Sequence, residues 1–230
     1  SRIVPMSYPS FHSYIRTLRS LLKRKQRWLL EESTFLADLC LAYGSIAGLS
    51  EQQKRTLFLA AHFKNLGALY LDDHCLHQAF NDHQQALKQM QGLFTESAQM
   101  AREAGLKDVA VVLEQYYLRA IPEDYLAQVF QVINAWVSCR QRKGWRHSMG
   151  DKEALVILRQ RAEMGWSHPD IVFHFIEHLC RYSSRPELIE ACSISGFETV
   201  APASGPGSGE LDTWPPGSWS LSEVLESDSY

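Results

Sequence analysis

Apolar residues recur at spacings of three and four positions along most of the chain, which is the period of an amphipathic helix. In the first such stretch, from about residue 10 to about residue 30, the series includes Phe11, Ile15, Leu18 and Trp28. The same spacing predicts further helices over 33–47, 51–63, 81–104, 107–119, 123–140, 151–163, 169–181 and 185–192. No stretch alternates apolar and polar residues well enough to predict a strand. The pattern therefore predicts an all-α fold, a compact HD-domain-like bundle of about eight or nine helices.

Local signals mark several helix starts. Ser50 is a good N-cap for the helix at 51–63, and Gln53 completes a capping box with it. Pro122, Pro169 and Pro186 each suit a first helical turn, where the missing N–H has no partner to lose. These signals favour the helix boundaries that the periodicity predicts.

The composition changes after residue 197. Residues 201–209 are rich in Pro, Gly and Ser, as flexible linkers are, and their GPGSG core resembles an engineered joint. The chain then divides as a helical extension at 1–34, a helical domain at 35–197, a linker at 198–209 and a peptide motif at 210–230.

The last segment is acidic and contains two tryptophans. Tryptophan is uncommon in plain disorder and common in binding hot spots, so a linear recognition motif is expected here. Its candidate anchors are Trp214, Trp219, Leu221, Val224 and Leu225.

Composition and charge argue against several classes of protein. The 230 residues include 23 Lys and Arg and 26 Asp and Glu, a net charge of −3, whereas duplex nucleic-acid binders are usually strongly basic. No apolar run approaches the ~18 residues of a membrane span, and no signal-peptide core is evident at the N-terminus. The five scattered cysteines contain no Cys-x-x-Cys pair and predict reduced thiols. We therefore expect a cytoplasmic protein without a membrane or nucleic-acid partner.

Charge is distributed unevenly along the chain. Residues 201–230 hold five acidic residues and no Lys or Arg, and the part before them holds 23 basic and 21 acidic residues. An acidic peptide would be attracted to a basic surface of the helical body. The candidate receptor residues are Arg16, Arg19, Lys23, Arg24, Arg27, Arg140, Arg142 and Lys143.

Residues 60–73 (AAHFKNLGALYLDD) resemble the signature of the HD-GYP family, which usually reads AALLHDIGKIGIPD. The two align without a gap, and Ala60, Ala61, Gly67 and Asp73 coincide. The order and spacing of further family motifs also agree, at residues 48–50, 121–122, 134–140, 153–158 and 168–172. The resemblance covers roughly residues 35–181, and HDOD domains form the competing sister family.

The resemblance implies a domain that lacks the family's chemistry. HD-GYP enzymes hydrolyse cyclic di-GMP at a site of two or three metal ions, whose ligands are imidazoles and carboxylates. The family's His-Asp pair falls on Lys64 and Asn65, its catalytic lysine on Ala68, and a late Asp ligand on Gln131. We therefore expect no catalytic, metal-binding or cofactor-binding residue and no cofactor.

The neighbouring motifs are altered as well. Tyr116 and Tyr117 stand where the family has a His-His pair, and only Leu118, Arg119 and Ala120 replace its long Gly-Tyr-Pro loop. Tyr116, Tyr117 and Trp136 are expected to fill the former active site with apolar bulk.

Two histidine groups are candidate metal sites. Residues 174–178 match the H-x-x-E-H pattern of inverted zinc proteases, but a role in packing is favoured because no ordered downstream ligand is predicted. His74, His77 and His83 cluster with Asp72 and Asp73 and are interpreted as a polar surface loop, with a relocated metal site as the alternative.

The sequence thus favours a non-catalytic adaptor that binds a short acidic peptide containing tryptophan, either its own tail or a fused partner segment. The resemblance implies bacterial cyclic di-GMP-linked signalling, with GGDEF-domain or other signalling proteins as candidate partners. One alternative is a nucleotide sensor that contacts phosphate through Lys64, Arg119 and Arg140. A second is a metal-dependent phosphohydrolase with a rebuilt site.

Overall fold

The computed structural model describes residues 11–73, 76, 83–141 and 148–182, without the side chains of residues 11, 12, 83–89, 181 and 182. Eight α-helices follow one another: α1 (Phe11–Lys25), α2 (Arg27–Ile46), α3 (Glu51–Phe63), α4 (His83–Glu103), α5 (Lys107–Gln115), α6 (Tyr125–Arg140), α7 (Asp151–Glu163) and α8 (Pro169–Tyr182). A short 3₁₀ helix, Leu66–Tyr70, follows α3. The described ranges contain no strand, and the predicted all-α, compact fold is confirmed.

The helix starts marked by Ser50 and Pro169 are where they were expected. The prediction for Pro122 is wrong, because α6 begins at Tyr125 with Asp124 as its N-cap and Pro122 lies before the helix. Pro186 lies outside the described residues.

The predicted bounds of α3 and α7 are confirmed at both ends. At the start of α3 the Gln53 N–H donates to Ser50 Oγ at 3.2 Å, and the Ser50 N–H donates to Gln53 Oε1 at 2.9 Å. The capping box is therefore confirmed.

The boundary between the first two helices differs from the prediction. The chain breaks at Gln26, whose backbone is extended (φ −157°, ψ 130°), and the helix predicted to run to about residue 30 ends at Lys25. Apolar residues continue at helical spacing across the break, so periodicity alone does not reveal it. The 3₁₀ helix was also not predicted, α5 ends four residues before the predicted 119, and the helix expected at 185–192 lies outside the described residues.

The core is continuous from α1 to α8. Ile15 and Leu22 of α1 are fully buried together with Leu36 of α2, Phe58 of α3 and Trp136 of α6. The boundary placed between residues 34 and 35 falls inside α2. The first helix therefore packs as part of the same core.

No described helix has both the length and the apolar character needed to span a membrane. Cys40 and Cys139 are free, buried thiols, whereas Cys180 is disulfide-bonded. The expectation of uniformly reduced cysteines is therefore wrong for Cys180.

Candidate functional site

The pseudo-motif lies where α3 ends and the 3₁₀ helix begins. Lys64 is the C-cap of α3, and its N–H donates to the Ala60 carbonyl at 2.9 Å. Asn65 follows as the N-cap of the 3₁₀ helix. This turn directs both side chains into the space between α3, α2 and α6.

Lys64 forms a buried ion pair there. Its Nζ lies 2.6 Å from Glu32 Oε1 on α2 and 2.6 Å from Asn134 Oδ1 on α6. The side chains of Lys64 and Glu32 are only 5% and 1% exposed. An ammonium thus occupies the position at which the resemblance expects a metal ligand, and it is bonded to two helices.

Asn65 supports the same carboxylate. Its Nδ2 lies 3.2 Å from Glu32 Oε1, 3.3 Å from Ser33 Oγ and 3.4 Å from the Leu29 carbonyl. The Asn65 amide therefore acts as a donor to α2. The sequence motif contains both Lys64 and Asn65, but no local signal in the sequence links Glu32 to residues more than 30 positions later.

The 3₁₀ helix is fixed against α4 at the same place. Ser97 Oγ donates to the Lys64 carbonyl and accepts from the Gly67 N–H, both at 2.8 Å. A Cβ on Gly67 would lie 2.1 Å from the Leu93 carbonyl oxygen. Only a residue without a side chain allows this close approach of the two backbones.

Aromatic rings close the adjacent space. Tyr116 and Trp136 are buried, and Tyr116 packs edge-on against Phe130 at 5.2 Å between ring centroids. Burial, and next the charge of Glu32, raise the pKa of the Tyr116 phenol well above its ordinary value. Tyr117 is half-buried and stacks on Phe94 at 4.6 Å.

Gln131 fastens the short loop between α5 and α6. Its Nε2 donates to the carbonyls of Leu118 and Ala120, at 3.1 and 3.0 Å. Ala68, which aligns with the catalytic lysine of the HD-GYP signature, is fully buried. Both positions contribute to packing in this chain.

The three cations that the nucleotide-sensor alternative assigns to phosphate have other partners in the structure. Arg140 Nε pairs with Asp151 Oδ1 at 2.7 Å, and its Nη1 donates to the Met149 carbonyl. The Arg119 guanidinium lies over the Trp166 ring, 4.7 Å from its centroid. Together with the buried Lys64, these contacts do not bring the three cations to one phosphate site.

The histidines of α8 pack against α2. The Tyr43 hydroxyl and His174 Nδ1 lie 2.8 Å apart, and His178 is buried beside Tyr43 and Phe175. Burial, and then the neighbouring His174, lower the pKa of His178 to about 4. Such contacts agree with the packing interpretation.

The candidate ligands of the relocated metal site lie largely outside the described ranges. Within the ranges that the structure describes, no three His, Cys, Asp or Glu side chains are grouped closely enough to hold a metal ion. His74, His77 and the side chain of His83 lie outside those ranges, while Asp73 lies 3.0 Å from Lys25 Nζ.

The candidate receptor residues divide into two groups. Arg19 donates to Thr34 Oγ1 at 2.8 Å and, like Arg140, ties helices together. Arg16, Lys23, Arg24 and Arg27 are exposed, although Arg27 pairs with Glu31 at 2.9 Å. Arg142, Lys143 and the whole motif at 210–230 lie outside the described residues.

Exposed apolar residues lie on the other flank of α1 from Arg16 and Lys23, because helix positions two apart do not share a face. Tyr14 and Leu21 lie two turns apart on one side of α1 and are 36% and 38% exposed, and Tyr70 of the 3₁₀ helix is 69% exposed. Helical periodicity alone does not show that these three side chains are exposed.

No protein-family model matches this chain, and no curated protein matches its sequence.

Proposed function

We propose that this chain is a non-catalytic protein-interaction domain of the HD-GYP-like class, which binds a short acidic peptide containing tryptophan. The observation that carries the proposal is the exposed face of α1. It presents Arg16, Lys23 and Arg24, and none of these has an ion pair within the described part of the chain. The α1 sequence contains no acidic residue.

The buried pair of Lys64 and Glu32 supports the non-catalytic part of the proposal. A lysine held by a carboxylate at 2.6 Å has no lone pair to offer a metal ion. The aromatic rings of Tyr116 and Trp136 occupy the neighbouring space. By resemblance, we place the domain in cyclic di-GMP-linked signalling, where GGDEF-domain or other signalling proteins would carry the peptide.

The test is a titration with the peptide itself. A fluorescent synthetic peptide of residues 210–230 is titrated with full-length protein in which Trp214→Ala and Trp219→Ala remove competing anchors. Saturable binding that weakens as salt is raised is expected, because carboxylates on the peptide meet cations on the domain. A peptide with both tryptophans replaced by alanine is the control and should bind at least tenfold more weakly.

Two results would count against the proposal. No saturation at millimolar peptide would exclude a peptide-binding role for this segment. Turnover of cyclic di-GMP by the full chain supplied with divalent metal would overturn the non-catalytic assignment.

A further inference from the structure

The chain turns back onto Arg161 just after α7 ends. Gly165 has a positive φ of 69°, which glycine adopts readily. The N–H groups of Trp166 and Ser167 then donate to the Arg161 carbonyl at 2.8 and 3.1 Å, as in the Schellman motif of a helix C-terminus. The side chain follows the backbone, since Arg161 Nε donates to Ser167 Oγ at 3.1 Å. The turn therefore holds the Arg161 side chain beside the residues that follow the helix.

A second arginine reaches the same turn from the loop between α5 and α6. The Arg119 guanidinium carbon lies 4.7 Å from the centroid of the Trp166 ring. The loop is fixed by Gln131, whose Nε2 donates to the carbonyls of the residues on either side of Arg119, at 3.1 and 3.0 Å. The Arg119 guanidinium is thus placed on the indole of a residue whose backbone is bonded to Arg161.

The two guanidinium groups are close enough to act on each other electrostatically. Burial lowers the pKa of Arg161; Cys139 opposes the shift, and the charge of Arg119 adds to it. Within the described part of the chain, neither arginine forms an ion pair. Three exposed carboxylates lie near them in sequence but pair with neither arginine: Glu123, Glu163 and Asp170. The fold therefore holds two like charges together without a carboxylate bonded to either.

Most hydrogen-bond donors of this pair have no acceptor in the described residues. A guanidinium carries several N–H donors in a planar fork. Arg161 donates to Ser167, whereas Arg119 has no hydrogen bond there. Arg161 is partly buried and Arg119 is exposed, so solvent reaches both. In the same turn, the buried Nδ1 of His168 also has no hydrogen-bond partner among the described residues. A ligand that suits the pair needs several acceptor oxygens and more than one negative charge.

We infer that Arg119 and Arg161 bind a phosphate dianion beside the Trp166 ring, either inorganic phosphate or the phosphoryl group of a small phosphomonoester. The planar fork of arginine matches the oxygens of phosphate. A phosphomonoester carries a charge of about −1.5 to −2 at pH 7, which balances two guanidinium groups, whereas a carboxylate or a phosphodiester carries a single charge. This site goes beyond the proposed function, because the peptide was assigned to other residues.

The experiment titrates the full chain with inorganic phosphate and, separately, with glycerol phosphate. Calorimetry and phosphorus NMR follow binding at constant ionic strength. Both probes should saturate, and the tighter of the two identifies the source of the phosphate group. Acetate and dimethyl phosphate, which carry one charge each, should bind about tenfold more weakly or worse. The site is overturned if neither phosphate probe saturates at tens of millimolar, or if acetate binds as well as phosphate.

Single substitutions locate the site. Arg119→Gln and Arg161→Gln should each weaken phosphate binding by about tenfold or more, because each removes charge-assisted hydrogen bonds. Arg24→Gln on α1 is the matched control, since it removes the same charge from an exposed position and should leave the phosphate affinity unchanged. Circular dichroism checks that each variant is folded. Equal weakening by all three substitutions would show attraction to the overall charge of the protein and overturn the site.

Thermal unfolding provides a second measure. A ligand that binds the folded state raises the unfolding temperature, so phosphate should stabilise wild type and Arg24→Gln more than Arg119→Gln. Equal stabilisation of all three would overturn the site, because phosphate also stabilises proteins through its exclusion from their surface. Arg119→Gln should bind the 210–230 peptide as its parent does. Failure of phosphate binding therefore leaves the proposed function intact, and failure of peptide binding leaves the phosphate site intact.

Discussion

His62 is a histidine whose burial fixes its protonation state. Its ring is fully buried, and its Nδ1–H donates to the Phe58 carbonyl at 3.0 Å. Within the described residues, Nε2 has no hydrogen-bond partner. Burial, and to a smaller extent the charge of Arg19, lower the pKa of His62 to about 4 against the opposing effect of the Phe58 bond. The folded protein therefore holds this ring neutral at neutral pH.

The pH dependence of stability follows from that shift. In the unfolded chain His62 is protonated near pH 6.5, well above its pKa in the folded protein. The contribution of neutral His62 to the free energy of unfolding is therefore complete above pH 6.5 and is lost as the pH falls toward 4. Between pH 7 and pH 4.5 we expect the free energy of unfolding of wild type to fall by about 2.5 kcal/mol more than that of His62→Gln. Urea denaturation of both proteins at the two pH values measures the difference, and an equal loss in both would contradict it.

Protonation of Asp38 has the opposite effect on stability in the same pH range. Burial raises the pKa of its carboxyl to about 6, although Arg19 opposes the shift. Protonation of Asp38 therefore stabilises the folded state as the pH falls, and it offsets part of what His62 and His178 lose. For this reason the comparison uses a His62 variant instead of the acid sensitivity of wild type alone.

At the scale of single residues, the sequence identified some partners in the polar cluster and missed others. It singled out Lys64 and Asn65 because they interrupt a recognisable motif. Glu32 could not be found in the same way, since its role depends on how α2 packs against the end of α3. The exposure of Tyr14 and Leu21 could not be predicted, because helical periodicity does not show where the buried face ends.

At the scale of elements, the contact between the 3₁₀ helix and α4 depends on Gly67. Gly67→Ala would place a methyl group 2.1 Å from the Leu93 carbonyl oxygen, and backbone on both sides limits relaxation. We expect a loss of about 2–3 kcal/mol in the free energy of unfolding, measured by urea denaturation.

Gly92→Ala is the matched control on α4. A Cβ there would meet nothing within 4 Å, and alanine is favoured over glycine inside a helix by roughly 0.5–1 kcal/mol. Gly92→Ala should therefore be neutral or stabilising. Similar losses at both glycines would show that the close backbone approach at Gly67 is not the cause of the destabilisation.

The helices themselves were largely predictable, for reasons visible in α3. A capping box at Ser50, a 3.6-residue apolar period and no internal Gly or Pro all indicate the same element. The break at Gln26 had no such signal, since neither Gly nor Pro marks it and Gln26 provides no side-chain cap. The packing of α1 and α2 determines its position.

At the scale of the whole molecule, we expect α1 to unfold together with the other helices, because its buried leucines belong to the common core. Leu22 and Leu36 are both fully buried in that core, on α1 and α2. We expect Leu22→Ala to reduce the free energy of unfolding by about 2–5 kcal/mol, as Leu36→Ala should. Circular dichroism and tryptophan fluorescence, to which buried Trp136 contributes, should report one coincident transition.

The neighbouring Leu21 provides the comparison. Leu21 is 38% exposed, so Leu21→Ala should have a much smaller effect, about 0.5 kcal/mol or less. A small effect of Leu22→Ala, or two separated transitions, would instead make α1 an independently unfolding extension.

The all-α class could be deduced at this scale because alternating patterns are absent from the sequence. Surface character could not, because exposure depends on which helices cover one another. Arg19 and Arg140 show this, since both belong to basic stretches in the sequence and both are used inside the fold to join helices.

The bonds of Lys64 have a mechanical consequence. A single nitrogen, covalently attached at the end of α3, holds side chains from α2 and α6 at 2.6 Å each. It joins three helices at one point, as a bound ion does in many proteins. Because this cation is a side chain of the protein, it cannot dissociate as a bound ion can. The junction of the three helices therefore forms whenever the chain folds.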